Sequence, residues 1–410
     1  MASDLWRNRS YRSVWSAATV SNFGSMIFVI ALPLAAVTLL DADAGDIAAI
    51  HVAQMLPGAL LGLVASAWID RRARLPLMRV SDLLRALLVG ALALSAWTGW
   101  LAIWQFVAAA AGLGLLGFVF HVSQHSLLPA IVDRTRLVEA NSKLRVADSV
   151  TEGLGFAGAG VLIQVLGAPL AFMIDAASYL LSAFCLAGVS EPQRPTPVGK
   201  SKQSLRQELS EGVRAVLGHP MLRPLAGAQI LMDLGTRLVG VVYVLFAIRV
   251  LGLSPSTVGL VAATGAISSF IGAWLAQAMD ERWRPGLALI AGILALGCAS
   301  LLIPAAAYVG VFGIAFLFVH QLGDGGWVLY EIHITSLRQQ EVEGALQGRV
   351  NGFFSVLTSA AGLLGSILGG LLGEWLGLQF TLWVGAALIL VAAAVLALSP
   401  VRRFGQYSKL

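Results

Sequence analysis

The sequence is poor in charged residues and contains only two cysteines. Charged side chains make up 12% of its 410 residues, whereas soluble globular proteins average about 25%. Hydrophobic residues make up 58%, and the mean hydropathy is +0.81. A soluble chain of this length could not bury so much apolar surface without leaving large exposed patches. The composition therefore excludes an ordinary soluble protein and indicates a membrane protein.

Signatures of enzymes, metal sites and nucleic-acid-binding domains are also missing from the sequence. It has no Walker-type phosphate loop, no zinc-ligand spacing and no nucleophile elbow, and its basic residues are not clustered on one soluble domain. Cys185 and Cys298 lie far apart in apolar runs, which is typical of packing residues. His121 and His125 are one helical turn apart, but two histidines without a third ligand make a weak metal site. We expect no enzyme, no metal site, no cofactor and no nucleic-acid partner.

Long apolar runs predict twelve transmembrane helices, because a helix needs about 20 mainly apolar residues to cross a bilayer. The first run is too long for the apolar region of a cleaved signal peptide, so we expect it to be retained. The predicted spans lie near residues 14–40, 46–68, 77–97, 101–123, 146–166, 170–190, 223–247, 257–279, 286–304, 309–333, 351–373 and 379–398.

The distribution of basic residues predicts the orientation of these spans. With twelve spans, all but three of the 27 Lys and Arg residues fall on one side of the membrane. The three exceptions are Arg85, Arg237 and Arg249. Because basic loops stay on the cytoplasmic side, we expect both termini in the cytoplasm.

The sequence predicts a chain of two related halves. The domain boundaries are predicted as an N-terminal six-helix bundle at 1–190, a cytoplasmic linker with an amphipathic helix at 191–222, and a C-terminal six-helix bundle at 223–410. Glycine, Asp and Asn residues recur in the two halves at a constant offset of 210 residues, as at Gly167 and Gly377. Each half has an even number of spans, so the two repeats are parallel.

Several short segments resemble one transporter family. Residues 66–74, SAWIDRRAR, resemble the loop signature of the major facilitator superfamily, with Ser66 and Ala73 in place of its two glycines. The segments DLLR at 82–85, LP at 128–129, EAN at 139–141 and FMIDA at 172–176 resemble the branch of the enterobactin exporter and macrolide-type efflux pumps. The resemblance covers the whole chain and implies an all-α membrane protein with twelve transmembrane helices in two parallel six-helix repeats.

The resemblance also implies a cytoplasmic gate. Asp70 would cap the helix that begins near Asn351, where a negative charge is favoured. Arg71 and Arg74 would pair with Asp133, and these contacts would favour the outward-open state. The alternative is that these residues only set the orientation of the chain.

Two departures from the family weaken the usual assignment of proton coupling. The acid that often follows Gly on the first span is absent at residues 21–25, SNFGS. The Gly-Pro of antiporters is Gly155-Phe156 on the fifth span of this chain.

Polar residues on two spans follow helical spacing. Mid-bilayer charges cost about 2.5–3.5 kcal/mol on insertion scales, so a row of polar groups must face other helices or a water-filled cavity. The resemblance implies that spans 1, 4, 7 and 10 line the central cavity. The rows lie on spans 7 and 10, at Gln229, Asp233 and Arg237 and at His320, Asp324, Trp327 and Glu331.

Asp324 and Asp233 are the candidates for proton coupling, because a half-buried carboxyl group can exchange a proton near neutral pH. Arg237 lies four residues after Asp233, so a simple ion pair is the alternative for Asp233. The glycines around Asp324 permit close packing or a break in the helix.

The remaining cavity candidates are less distinctive. Asn22, Ser25 and Gln54 add polarity to spans 1 and 2. Glu331, a further cavity candidate, and His333 lie at the predicted cytoplasmic end of span 10, where we expect both to be solvated loop residues.

Together these features predict a secondary transporter of the bacterial inner membrane that exports amphipathic, drug-like small molecules by alternating access and proton antiport. The ion could also be another cation. The alternatives are a dedicated exporter of a siderophore or secreted metabolite and, in another class, a non-transporting scaffold or sensor. The expected partners are the small-molecule substrate, protons and membrane lipid, and we expect a monomer.

Overall fold

Helices are the only regular secondary structure in the residues that the structure describes. The computed structural model describes residues 5–69, 72–133, 136–189, 205–280, 284–342 and 344–404. These ranges contain no β-strand. Thirteen α-helices follow in chain order: α1 Arg9–Leu40, α2 Ala44–Ile69, α3 Arg74–Thr98, α4 Ile103–Ile131, α5 Leu137–Ala187, α6 Leu205–Gly218, α7 Leu222–Leu245, α8 Pro255–Asp280, α9 Pro285–Ala305, α10 Gly313–His320, α11 Leu322–Glu341, α12 Gly344–Trp375 and α13 Leu378–Ala397.

The predicted twelve transmembrane helices are confirmed. The long α5 contains a break at Gly167, whose φ of 80° and ψ of 163° are not helical, so it supplies two of the twelve. Helices α10 and α11 together supply one, and α6 is the predicted amphipathic helix. Nine stretches of the described residues are long and apolar enough to cross a membrane by length and composition.

The two-fold repeat of the sequence is present in the backbone. Gly377 has a φ of 89° and a ψ of 158°, close to those of Gly167 at the equivalent position. Only glycine adopts this region readily, so both sixth helices begin at a glycine for the same steric reason. The pair Gly155 and Gly365 is equivalent too, because each packs against the first helix of its own half, α1 and α7.

The chain divides into two compact units. The first unit is Met1–Thr196 with Leu253–Ala263, and the second is Pro197–Gly252 with Thr264–Leu410. In the first unit, α1 and α3 both pack along α5. In the second, α7 packs against α12 and α13, and α9 against α11 and α13.

Glycines allow the helices of the second unit to approach closely. A Cβ on Gly292 would lie 2.6 Å from the carbonyl oxygen of Gly326, and one on Gly325 would lie 2.7 Å from that of Ser268. Lipid tails are as apolar as the side chains, so helices in a bilayer associate through such close packing rather than through the hydrophobic effect.

Several helices extend further than the apolar runs predict, and α12 and α11 are two of them. α12 begins at Gly344, seven residues before the predicted start at Asn351, because polar residues continue the helix beyond the apolar run. α11 continues to Glu341, so the loop position considered for Glu331 and His333 is wrong. His333 is buried, and its Nδ1 lies 2.8 Å from the carbonyl oxygen of Leu329.

The predicted linker 191–222 lies partly outside the described residues. Its described part contains α6, which packs on the start of α12. Glu211 of α6 forms an ion pair with Arg349 of α12, and Gly212 lies against the Arg349 backbone. The amphipathic helix therefore belongs structurally to the second unit.

Candidate functional site

An ion pair is buried in the middle of the first unit. Asp82 and Arg85 are one turn apart on α3, and their side chains meet at 3.3 Å between Nη1 and Oδ1. Asp82 is fully buried, and Arg85 is 4% exposed. Ser182 of α5 donates a hydrogen bond of 2.6 Å to the second carboxylate oxygen of Asp82. This buried ion pair links α3 to α5.

The guanidinium of Arg85 is enclosed by aromatic rings. Its Cζ lies 5.0 Å from the ring centre of Phe120 on α4 and 5.3 Å from that of Tyr179 on α5. Its Nη1 donates a long bond of 3.5 Å to Ser21 of α1. The hydroxyl groups of Tyr179 and Ser25 are 2.9 Å apart. Four helices therefore converge on one cation.

Asp175 is a second buried carboxyl group in the first unit. It lies on α5, one turn before Tyr179, and is fully buried. Ser178 donates to its backbone carbonyl at 2.7 Å and to its Oδ1 at 3.4 Å. Within the described residues, its Oδ2 has no hydrogen-bond partner. The carboxyl lies against Gly24 of α1, where a Cβ would collide with it.

A cavity of about 370 Å³ opens beside this cluster. Three predicted cavity residues, Asn22, Ser25 and Gln54, line it, and Asn22 donates to Thr151 at 2.7 Å. Its apolar wall consists of Ala18, Met26, Phe28, Val29, Leu113, Phe118, Phe120 and Leu144. Its other polar groups include Ser21, Arg85, His121, Gln124, His125, Asn141, Arg145, Asp148 and Tyr179.

The two histidines of α4 lie on this cavity wall. His121 and His125 share it with Asp148 and Arg145. No group of three potential metal-ligating side chains occurs among the residues that the structure describes. The histidines, Asp148 and Arg145 add hydrogen-bonding and charged groups to the cavity wall.

In the second unit, Asp233 belongs to a buried chain of hydrogen bonds. Tyr330 donates to Gln229 Oε1 at 2.5 Å, and Gln229 Nε2 donates to Asp233 Oδ2 at 3.0 Å. Arg237 is exposed, and in the described part of the chain it forms no ion pair with Asp233. The pairing suggested by their spacing is wrong, because the carboxylate is turned towards Gln229, one helical turn in the opposite direction.

Asp324 lies at a break in a helix. α10 ends at His320 and α11 begins at Leu322, so the predicted row of polar residues is not on one continuous helix. Ser268 of α8 donates to the Leu322 carbonyl at 3.0 Å and accepts from the Gly325 amide at 2.9 Å, which satisfies backbone groups at the break. Asp324 is half-buried, and its carboxylate lies against Gly265 of α8.

The other members of this row have different surroundings. His320 is buried, with its ring centre 6.2 Å from that of Tyr243. Trp327 is half-buried, with its ring centre 6.3 Å from that of Tyr330. Glu331 is half-buried within α11.

The predicted gate is only partly described. Asp70 and Arg71 lie outside the described residues. Arg74 is the first residue of α3, and Asp133 is exposed just after α4. The pairing of Arg74 with Asp133 stays a prediction.

Comparison with known proteins identifies the family. The family model of the Major Facilitator Superfamily matches residues 14–342. The chain belongs to this superfamily. It is 26% identical to an uncharacterized MFS-type transporter, y4rN, of Sinorhizobium fredii, with 95% of this chain and 94% of the relative covered. It is also 26% identical to an uncharacterized MFS-type transporter, YfiS, of Bacillus subtilis, with 97% and 93% covered.

Solved structures of Major Facilitator Superfamily transporters share the fold. A bacterial homologue of the iron transporter ferroportin, in an inward-facing state, gives a TM-score of 0.76 at 18% identity, with 95% of this chain and 98% of that chain covered. A bacterial homologue of the human lysosomal transporter Spinster gives 0.74 at 15% identity, with 99% and 98% covered. At these identities the likeness concerns the fold alone. The chain is thus a multi-pass membrane transporter of the MFS type.

Sequence reasoning did not select the buried ion pair or Asp175 as site residues of this Major Facilitator Superfamily chain. The available signals were Arg85, which is one of three exceptions to the charge rule, and Asp82, which stands one turn before it in an apolar run. Asp175 is likewise a lone acid in an apolar run. A mid-span ionisable residue is by default a functional candidate.

Proposed function

We propose that this transporter exports amphipathic small molecules of drug-like type across the bacterial inner membrane. Transport proceeds by alternating access with proton antiport, and both termini lie in the cytoplasm. The observation that carries the proposal is the cavity of about 370 Å³ in the first unit. Its size falls within the range of ligand pockets, about 300–1,000 Å³.

The composition of the cavity wall supports an amphipathic substrate. Aromatic and aliphatic side chains such as Phe118 and Val29 can cover an apolar body, while Asn22, Gln54 and Gln124 can hydrogen-bond a polar end. A wall that combines apolar and polar side chains suits molecules that have both an apolar body and a polar end.

Proton antiport is supported by carboxyl groups within spans. Asp324 is half-buried at the broken helix and Asp233 is held by Gln229, so both remain proton-coupling candidates of the second unit. The resemblance to efflux pumps and the lack of a phosphate loop favour an ion gradient over ATP as the energy source. On the cytoplasmic side, the gate is assigned to Asp70, Arg71, Arg74 and Asp133.

A dedicated exporter of a siderophore or secreted metabolite is the second candidate. The cavity wall carries Arg85 and Arg145 against one acid, Asp148, and two histidines that can also donate hydrogen bonds. This excess of donors suits an oxygen-rich anion. Nothing in the structure favours a scaffold or sensor over transport.

Everted membrane vesicles test export and its energy source together. Inside them, an exporter accumulates its substrate when respiration acidifies the lumen. We expect accumulation of ethidium or a macrolide antibiotic, and loss of that accumulation when nigericin collapses the pH gradient. Accumulation that survives nigericin contradicts proton antiport. Accumulation of only a catecholate siderophore selects the second candidate, and accumulation of none of the three probes contradicts export.

A cavity-filling variant tests the binding site. Val29→Trp places a large ring in the cavity and should lower accumulation at least tenfold. Leu398→Trp adds the same ring at an exposed position at the end of α13 and is the matched control. Equal transport by both variants contradicts the assignment of this cavity to the substrate.

A further inference from the structure

Two helices each present a pair of polar side chains to the cavity of the first unit. His121 and His125 lie one turn apart on α4, and Arg145 and Asp148 lie one turn apart on α5. Arg145 lies within electrostatic range of His121, and His125 within that of Asp148, so the two pairs are close together. This group of four residues forms a polar part of the cavity wall.

Arg85 supplies a second guanidinium group to the same wall. Its Nη1 bonds Asp82 and Ser21, whereas its Nη2 donates no hydrogen bond to another described residue. A Cβ on Gly117, which also lines the cavity, would lie 3.1 Å from this Nη2. Asp82 is fully buried and does not line the cavity. The buried ion pair therefore turns its positive member towards the cavity.

Arg145 is the less compensated of these two cations. Its side chain is exposed, and it forms no ion pair with another residue that the structure describes, although Asp148 lies one turn further along α5. A cationic molecule would meet Asp148 beside two guanidinium groups, whereas a carboxylate would be attracted by both of them. Arginine binds carboxylates through paired, charge-assisted hydrogen bonds, so this wall favours an anion.

We propose that Arg145 selects amphipathic substrates by the charge of their polar end, so that a carboxylate binds more tightly than a neutral or cationic molecule with the same apolar body. The inference deepens the proposed function and rests on it, because it assigns a specificity-determining residue to the proposed substrate cavity. Arg85 and Arg145 both lie within electrostatic range of His121, so one carboxylate is attracted by both. The apolar body lies against side chains such as Phe118 and Val29, and cations of similar size still enter but bind more weakly.

The side chain of Arg145 can be exchanged without disturbing the buried ion pair of α3. It is exposed, and the hydrogen bond recorded at this residue, from Ser149 Oγ at 3.1 Å, goes to its backbone carbonyl. Arg85, by contrast, holds Asp82, so its removal would disturb the fold as well as the cavity. Variants of Arg145 therefore report the charge of the wall rather than the stability of the unit.

Dansyl compounds that differ only at their polar end test the preference without transport. At pH 7, dansylglycine is an anion, dansylamide is neutral and dansyl-ethylenediamine is a cation. Fluorescence titration of the purified, detergent-solubilised protein should show dansylglycine bound about tenfold more tightly than dansylamide, and dansyl-ethylenediamine bound most weakly. Equal affinities, or tightest binding of the cation, overturn the inference.

Charge reversal tests the residue itself. Arg145→Glu should invert the order, with the cation bound about tenfold more tightly than dansylglycine, and Arg145→Gln should remove most of the difference. Affinity for dansylamide should stay within about twofold in both variants, because the apolar wall is unchanged. Arg402→Glu makes the same charge change at an exposed position after α13 and should keep the wild-type order. A wild-type order in Arg145→Glu overturns the assignment.

A cavity-filling variant separates this inference from the proposed function. Val29→Trp should weaken the binding of all three dansyl compounds, because its ring occupies the space of their common body. If Val29→Trp weakens them but Arg145→Glu leaves their order unchanged, the selection by Arg145 is wrong and the substrate cavity stands. If Val29→Trp leaves the binding of all three unchanged, the cavity is not the binding site and both proposals are wrong.

Discussion

The two halves of the chain share a helical frame but place their polar groups at different positions. At the offset of 210 residues, Asp82 corresponds to Gly292 and Asp175 to Gly385. A Cβ on Gly292 would lie 2.6 Å from a carbonyl oxygen of α11, and one on Gly385 would lie 2.9 Å from one of α7. Where the first unit holds buried carboxyl groups, the second brings two backbones together.

Polar residues of the second unit likewise correspond to nonpolar residues of the first. Asp324 corresponds to Gly114, which packs against the backbone of Gln54, and Asp233 corresponds to Phe23. The same position between helices can thus be filled by a compensated polar group or by close backbone packing. The repeated architecture does not repeat the chemistry, so each half has to be tested separately.

The largest expected difference between the halves concerns their arginines. Arg85→Met leaves Asp82 buried without its cation, which should lower the free energy of unfolding by about 3–5 kcal/mol. Arg237→Met removes an exposed side chain without an ion pair to Asp233, and surface changes of this kind stay within about 0.5 kcal/mol. Thermal unfolding of the purified proteins measures both. Similar losses of unfolding free energy in the two variants would show that the arginines of the two halves do not differ in their contribution to stability.

Glycine substitutions test the packing of each half. Gly24→Ala pushes against Asp175 and Ser178, and Gly292→Ala pushes against the backbone of α11, so each should cost about 1–3 kcal/mol. Gly158→Ala and Gly240→Ala, where an added Cβ meets nothing within 4 Å, are the controls for the two halves. If the unfolding temperature falls as much for the two control variants, the loss of stability comes from a change in helix propensity and not from the contacts of the added Cβ.

Asp324 tests whether the second unit also takes part in coupling. Asp324→Asn should lower pH-gradient-driven ethidium accumulation about tenfold, equivalent to about 1.4 kcal/mol, while binding of ethidium persists. Asp233→Asn keeps a group that can bond Gln229 and should have a smaller effect. If Asp324→Asn accumulates as much ethidium as wild type does, Asp324 is not needed for proton coupling and the first unit must supply it.

The smallest effect is expected at the surface. Glu211→Gln removes the half-buried ion pair between α6 and Arg349, and ion pairs near the surface contribute about 0.2–1 kcal/mol. The effect should shrink further at high salt. A larger loss of thermal stability would mean that α6 holds α12 in place through charge rather than through the packing at Gly212.

The sequence predicts the helices well because length and hydropathy determine them. Both sixth helices follow a glycine of the sequence repeat, Gly167 or Gly377, and the polar row at Asp324 coincides with a helix break, one of the two arrangements that its glycines permit. The predicted ion pair between Asp233 and Arg237 is wrong because the spacing of two residues along a helix does not determine the rotamers of their side chains. Ser182 could not be assigned to Asp82 because the two residues are 100 positions apart and no local sequence pattern signals their contact.

The ion pair within α3 has a consequence for biogenesis. Membrane helices enter the bilayer in the order of their synthesis, and each mid-span charge costs about 2.5–3.5 kcal/mol at insertion. Asp82 and Arg85 stand one turn apart on the same helix, so each carries its counter-ion into the lipid before α5 has left the ribosome. The counter-ion of Asp82 is thus supplied by its own helix and does not depend on a helix that is made later.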